Sequence, residues 1–293
     1  MRRNQPAAVS EAFLEASAEA GAVVECGGHR CVAGSYLEPI SGEQQCLVEY
    51  ADPALTTAAA AARLPPLLAE LFPEAEVAVL RTPADVALPA PWTRYLSYVK
   101  RAVPVPRSAP DTAGGDGMTV TEPAEGDRER VTRWLEAAFL TAGDSQGGDC
   151  DAEAAAAQAR AVLETPGSRF LIARSAGTAV GHATLLCDAY DEVSGEPYVE
   201  LVDILIDPPH DVRTATAALV TAAGQLADGL GLPLIGHVVH PRHPDRRAEG
   251  QRVLDSLLRK GWEMHSGYWW APLTGCHAEQ DADRRSGAKA GVR

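Results

Sequence analysis

The stretch Tyr198–Gly224, YVELVDILIDPPHDVRTATAALVTAAG, changes its period halfway along. Val199 to Ile206 is a β-branched apolar run holding two acids. Beyond Pro208 and Pro209, the apolar positions Val212, Ala215, Leu219, Ala223 and Leu226 recur at helical spacing. This predicts a buried strand turning through a proline corner into an amphipathic helix. A strand that feeds a helix start places unpaired backbone N–H groups and the positive end of a helix dipole at its carboxyl edge. A phosphorylated ligand suits such a place.

Working outward, the chain on the carboxyl side predicts a strand in GLPLIGHVVHP, a helix in RAEGQRVLDSLLRKG and a last strand in WEMHSGYWWAPL. On the amino side, SRFLIARSAGTAVGHATLLCDAY reads as a hairpin turning at Ala176 and Gly177. Before it come a short strand, MTVTEPA, and two helices, DRERVTRWLEAAFLTA and DAEAAAAQARAVLETPG, joined by the acidic loop GDSQGGDCD. Residues 103–117, VPVPRSAPDTAGGDG, have the composition of a linker. The first hundred residues form a smaller α/β unit: a helix over Glu11–Ala20, a hairpin at Gly27-Gly28, strands in QQCLVEYA, EVAVLR and TRYLSYVKRA, and one long helix capped by Asp52 and running to Phe72. Pro65 and Pro66 are expected to break or kink that helix. The division is therefore 1–102, a small α/β unit; 103–117, a linker; 118–273, the larger unit; and 274–293, a polar tail expected to be disordered.

A length of 293 residues allows two modest units, and 46% hydrophobic residues support a core. No apolar run reaches membrane-spanning length, and the amino terminus lacks the continuous apolar segment of a signal peptide. No membrane partner is expected. Six cysteines are scattered without a pairing pattern, which suits reduced thiols in a cytoplasm. A net charge of −14 argues against nucleic acid as a partner and suits a cationic one. Cys26, His29, Cys31 and Cys46 lack CxxC spacing, and His237, His240 and His243 follow a strand-to-loop path that does not make them converge, so no metal is expected.

The order strand, helix, helix, hairpin, long strand, helix, strand, helix, strand over about 118–273 resembles the GNAT superfamily of CoA-dependent N-acyltransferases. Ile206, Asp207 and Pro208 match the end of that family's fourth strand, Leu219 its apolar anchor one turn on, and Leu257-Leu258-Arg259-Lys260-Gly261-Trp262 its last helix running into a Gly-aromatic pair. The first unit, ending in TRYLSYVKRA as the second ends in SGYWWAPL, faintly resembles a degenerate half of the same fold. The resemblance implies an α/β fold with a mixed central sheet flanked by helices. It implies acetyl-CoA as co-substrate, held along Ile204, Leu205 and Ile206 and at Val212, Arg213, Thr214, Ala215, Thr216 and Ala217. It also implies direct transfer of an acetyl group to an amine, by a monomer or a homodimer. Two acidic loops at the expected substrate mouth, GDSQGGDCDAE and CDAYDEVSGEPYVE, the second carrying Asp188, Asp191, Glu192 and Glu196 ahead of Glu200, point to a small, cationic acceptor.

Two departures stand against this. Where the family has alternating glycines, this chain has Asp211, Val212, Arg213, Thr214, Ala215 and Thr216, and a carboxylate at Asp211 would fill the anion site. Leu257 stands where a tyrosine acid is usual, with Ser256 adjacent. The competing expectation is a silent acyl-CoA-binding or interaction protein. For catalysis, Glu200 is the candidate base, since an apolar strand raises a carboxyl pKa toward the useful range. Asp203, on the opposite side of a regular strand unless a bulge intervenes, is a candidate ammonium anchor. His237 or His240 could face the gap between the fourth and fifth strands, and Trp269 and Trp270 point to opposite sides.

Overall fold

The computed structural model describes residues 9–101, 117–146, 151–207 and 210–273. The proline corner at Pro208 and Pro209, residues 103–116, the middle of the first acidic loop, Cys150, Cys276 and the tail lie outside the described residues.

The fold is α/β: one mixed sheet of eleven strands flanked by helices. In chain order these are α1 (Glu11–Glu19), β1 (Val23–Cys26), β2 (His29–Leu37), β3 (Gln44–Ala51), α2 (Ala58–Ala61), α3 (Leu64–Leu71), β4 (Val77–Pro83) and β5 (Thr93–Arg101). The second half contributes β6 (Met118–Thr121), α4 (Arg128–Gln146), α5 (Ala152–Glu164), β7 (Ser168–Ser175), β8 (Thr178–Asp191), β9 (Glu196–Ile206), α6 (Val212–Leu230), β10 (Leu234–Val239), α7 (Arg247–Arg259) and β11 (Trp262–Pro272).

Local chemistry accounts for most boundaries. Gly27 and Gly28 turn the first hairpin with positive φ, and Ala176 and Gly177 turn the β7–β8 hairpin in the same region, as a two-residue turn requires. The expected long helix after Asp52 is instead three pieces. Asp52 caps a 3-10 turn at Pro53–Thr56, accepting from Ala54 N at 2.8 Å, then α2 and α3 follow. Pro65 and Pro66 fall in the first turn of α3, where a missing N–H costs nothing, so the break moves ahead of them.

The strand order is β1-β2-β3-β4-β11-β5-β10-β9-β8-β7-β6. The two halves thus exchange their final strands: β11, from the second half, lies between β4 and β5, while β5, from the first, lies between β11 and β10. All three central ladders are antiparallel, and each half keeps one parallel pair, β3 with β4 and β9 with β10. Gly267 stands opposite Ser97 across the central ladder. Tyr268, one residue on, pairs with Arg81 of β4, and Tyr98, one residue on, pairs with His237 of β10. The halves are related by an approximate two-fold axis through that ladder.

The hairpin turns repeat as well. Glu38-Pro39-Ile40-Ser41-Gly42-Glu43 and Asp191-Glu192-Val193-Ser194-Gly195-Glu196 share their chemistry. Glu38 accepts from Ile40 N at 3.0 Å and Ser41 Oγ at 2.7 Å, with Gly42 N on its carbonyl at 2.9 Å. Asp191 accepts from Val193 N at 3.1 Å and Ser194 Oγ at 3.0 Å, with Gly195 N on its carbonyl at 2.7 Å. Both glycines have positive φ. Each turn clamps the opposite half: Arg81 grips Asp191 with two bonds of 2.8 and 2.7 Å, and Arg242 grips Glu43 with two of 2.7 and 2.8 Å.

Packing follows the same plan. On one face, Leu64 and Leu68 of α3 cover Cys46, Val48, Ala78 and Leu80, while Ala215, Leu219 and Ala223 of α6 and Leu254 of α7 cover Val180, Ala183, Leu185 and Val199. On the other, Val131, Trp134 and Leu135 of α4 and Ala159 of α5 cover Ile172 and Leu205. The thiols of Cys26, Cys31 and Cys46 are buried and free in the first of these cores. Trp269 lies in that core and Trp270 on the opposite side under Arg242, alternating as a strand demands.

The Arg81–Asp191 clamp makes a stability prediction. Burial pushes the Asp191 carboxyl up, but contacts from His265 and Arg81 outweigh it and hold it well below the usual carboxylate range. A depressed carboxyl contributes stability that is fully present above the unfolded value, about pH 4, and is lost as pH falls toward the folded value. Asp191→Ala should cost about 3 kcal/mol or more by urea denaturation at pH 7, because it strands a buried guanidinium. The stability of the variant should fall less steeply below pH 4 than that of the parent.

Candidate active site

β9 and β10 begin as partners and then part. Their parallel ladder covers only Val199, Glu200 and Leu201 against Leu234, Ile235 and Gly236, whereas β9 runs on to Ile206 and β10 to Val239. The β10-facing backbone edge of β9 from Val202 to Ile206 therefore lies open in that ladder. On its other edge β9 stays with β8, where Asp203 pairs with Thr184 and Leu201 with Leu185, so Val202 is a bulge.

That bulge decides which side chains meet. Thr184 and Leu186 lie on one side of β8, and their partners Asp203 and Glu200 share that side. A regular strand would have set the two acids on opposite faces. Ile235 pairs with Glu200, which puts His237, two residues on, on the same face. Tyr98 of β5, opposite His237, has its ring centroid 5.6 Å from the imidazole. The face thus gathers Glu200, Asp203 and His237 with two groups that the sequence did not flag, Tyr98 and His182. His182 is fully buried, stacked on Trp134 with centroids 5.1 Å apart, and its Nε2 lies 3.4 Å from Asp203 Oδ2.

The electrostatics are those of a largely buried acidic face. Burial pushes the Glu200 carboxyl up. Burial pushes the Tyr98 phenol up as well, and the Glu200 charge adds to it. Burial lowers the His237 imidazole, against an opposing pull from Asp203. At neutral pH this leaves a protonated phenol and a neutral imidazole beside two carboxyls. Both Asp203 carboxylate oxygens, both His182 ring nitrogens, Thr184 Oγ and His237 Nδ1 are buried without a hydrogen-bond partner among the described residues. Orphaned buried polar atoms are costly, which marks this face as a place for a polar ligand or water.

His240 is placed elsewhere. It is buried under α7, where a Cβ on Gly250 would come within 2.8 Å of its Nδ1, and its Nε2 lies 2.9 Å from Ser97 Oγ. Burial and then the charge of Arg94 lower its pKa to about 4. His243 is exposed beside Asp245, so the three histidines do not converge, and no group of three or more metal-ligating side chains occurs among the described residues.

A cleft of about 360 Å³ opens beside His237. Its walls include Tyr95 and Arg242 of one side and the turn residues Glu38, Ile40 and Glu43 of the other. Of the acids expected at the mouth from the second acidic loop, Asp191 is instead buried in its clamp with Arg81, because its turn lies over the first half.

The residues expected to hold acetyl-CoA divide into a part that fits and a part that does not. The open edge of β9 at Ile204, Leu205 and Ile206 offers amide and carbonyl groups to an extended amide-bearing arm. At the start of α6, Asp211 accepts from Arg213 N at 3.0 Å, Thr214 N at 3.2 Å and Thr214 Oγ1 at 2.5 Å. Those contacts lower its pKa, so a carboxylate occupies the amides a pyrophosphate would use. Leu257, where the family's tyrosine is usual, packs with the core beneath α6 and α7.

No protein-family model matches the sequence, and no curated protein matches it. Among solved structures, the chain is similar in fold to a GCN5-related N-acetyltransferase from Kribbella flavida, at 14% identity over 93% of this chain and 99% of that one, with a TM-score of 0.45. It is similar to a GCN5-related N-acetyltransferase from Sphaerobacter thermophilus at 12% identity over 83% and 76%, with a TM-score of 0.49. It is also similar to an aminoglycoside N-acetyltransferase in complex with CoA, at 18% identity over 49% and 88%, with a TM-score of 0.34. Each is an N-acetyltransferase by description. No helix among the described residues is long and apolar enough to cross a membrane.

The placement of His240 gives a check that is independent of any reaction. Ser97→Val should leave a buried ring nitrogen without its partner and cost about 1–3 kcal/mol in denaturant unfolding. A Gly250→Ala change should also destabilise, since its Cβ would lie 2.6 Å from the Val239 carbonyl oxygen.

Proposed function

We propose that the protein is an N-acetyltransferase that moves an acetyl group from acetyl-CoA to an amine of a small, cationic molecule. The observation that carries this reading is the parting of β9 from β10, with Glu200, Asp203, His237 and Tyr98 gathered on one face beside it. The division of labour between the units, 118–273 holding the donor and 1–102 completing the pocket through Tyr98, belongs to the same proposal.

The reaction is direct. The acceptor enters as an ammonium, anchored by Asp203, whose carboxylate accepts no hydrogen bond among the described residues and has His182 Nε2 3.4 Å from its Oδ2. Glu200, raised by burial, takes one proton and leaves a neutral amine. The nitrogen attacks the thioester carbonyl, the carbon–sulfur bond breaks, and the amide nitrogen's second proton passes to Tyr98 as that phenol gives its own to the departing thiolate. The departing thiolate takes a proton, and Tyr98, which keeps its own at neutral pH, is the donor within the same group of side chains. With Glu43 neutralised by Arg242, Glu38 and Glu76 are the acids around the adjoining cleft that favour a cationic acceptor by raising its local concentration.

Glu200→Gln should lower turnover about a hundredfold or more with acetyl-CoA affinity nearly unchanged, as loss of a general base does. In the parent enzyme kcat/KM should rise with pH as Glu200 loses its proton, and the variant should lack that limb. Asp211→Ser keeps a helix cap but removes the carboxylate, so calorimetry should show acetyl-CoA binding about two- to fivefold tighter. Absence of acetyl-CoA binding at millimolar ligand in both parent and Asp211→Ser overturns the reading in favour of a silent scaffold.

A further inference from the structure

The first half holds a cleft that the proposed reaction does not use. It opens where β3 and β4 part: their parallel ladder ends at Val48 opposite Leu80, while β3 continues to Ala51 and β4 to Pro83. Its volume is about 540 Å³, within the range of small-molecule sites.

Its walls repeat those of the cleft beside His237. The register about the central ladder makes Arg81 the counterpart of His237 and His265 the counterpart of Tyr95, while the repeated turn makes Val193 the counterpart of Ile40. Each cleft is thus closed by the hairpin turn of the opposite half.

The chemistry of the two differs. After β3 the chain forms a 3-10 turn whose first amides are taken by Asp52, followed by two short helices, so the cleft has no long helix start for a phosphate. Arg81 is neutralised by Asp191, 2.7 Å away, which His265 also approaches to 3.5 Å. The acids that remain on the wall are Glu49 and Asp85. Glu49 Oε2 accepts from the Tyr268 hydroxyl at 3.2 Å and lies 4.0 Å from Arg81, with its side chain one-third exposed toward the cleft. Val86 and Val193 supply apolar surface on the same cleft's wall.

We propose that this cleft binds a small organic amine, its ammonium on Glu49 and its apolar body against Val86 and Val193, as a second site that binds without acylating. This goes beyond acetyl transfer and does not require it, since the binding needs no acyl donor.

The test is calorimetry on the full chain without acetyl-CoA, using tryptamine, phenethylamine and spermidine as probes. At least one amine should bind, and Glu49→Gln and Val193→Trp should each weaken that binding at least about tenfold. Ile40→Trp, which obstructs only the cleft beside His237, should leave it intact, and tryptophol, the neutral counterpart of tryptamine, should bind at least about tenfold more weakly. Binding that survives both Glu49→Gln and Val193→Trp, or that Ile40→Trp alone abolishes, overturns the proposal. So does equal binding of tryptophol, or no binding of any of the three amines. Should Glu49→Gln fail to fold, Val193→Trp, at the surface turn, decides. Failure of the acetyltransferase reading appears separately, as absent turnover in the parent with this binding unaffected.

Discussion

The antiparallel ladder between β5 and β11 is the contact on which the rest depends. It joins the last strand of each half at the centre of the sheet, and each of those strands is inserted against the parallel pair of the other half. Without it β4 and β10 would be sheet edges with unpaired backbone groups, which soluble chains avoid. One bulge in each strand, His265 in β11 and Tyr95 in β5, lets the ladder bend as it crosses from one half to the other. Charge then reinforces the crossing. The Arg81–Asp191 and Arg242–Glu43 forks are bidentate, largely buried and reciprocal, each bringing a hairpin turn of one half onto the other.

The same crossing builds the candidate site. Tyr98 reaches His237 because β5 is the neighbour of β10, though the two residues are far apart in sequence. By symmetry Tyr268 meets Arg81, and the two tyrosine rings lie 5.5 Å apart across the axis. One half has a long helix, α6, after its parting strands, and the other has a 3-10 turn followed by the short α2 and α3.

Much of this was legible in the sequence. The Gly-Gly and Ala-Gly turns, the amphipathic stripe of α6 and the Asp211 cap all follow from local residue chemistry, and the structure contains each of them. The strand exchange was not legible, because pairing of Tyr98 with His237 leaves no periodic trace along the chain. The face of Asp203 was not legible either: alternation alone opposes it to Glu200, and the bulge at Val202 that reunites them depends on how β8 and β9 pack. His182 looked like one polar residue in an apolar strand, and only the stack with Trp134 and the approach to Asp203 distinguish it. The repeated turns Glu38–Glu43 and Asp191–Glu196 did offer a signal, an acid followed by a β-branched residue, Ser, Gly and Glu at the same spacing.

Expressing residues 1–101 and 117–293 as two separate chains tests the interlocked sheet most directly. The exchange predicts that neither fragment alone is a folded monomer, and that the two together associate one to one and melt in a single cooperative transition like the intact protein. A fragment 117–293 that is monomeric, folded and as stable alone as in the intact chain would contradict it.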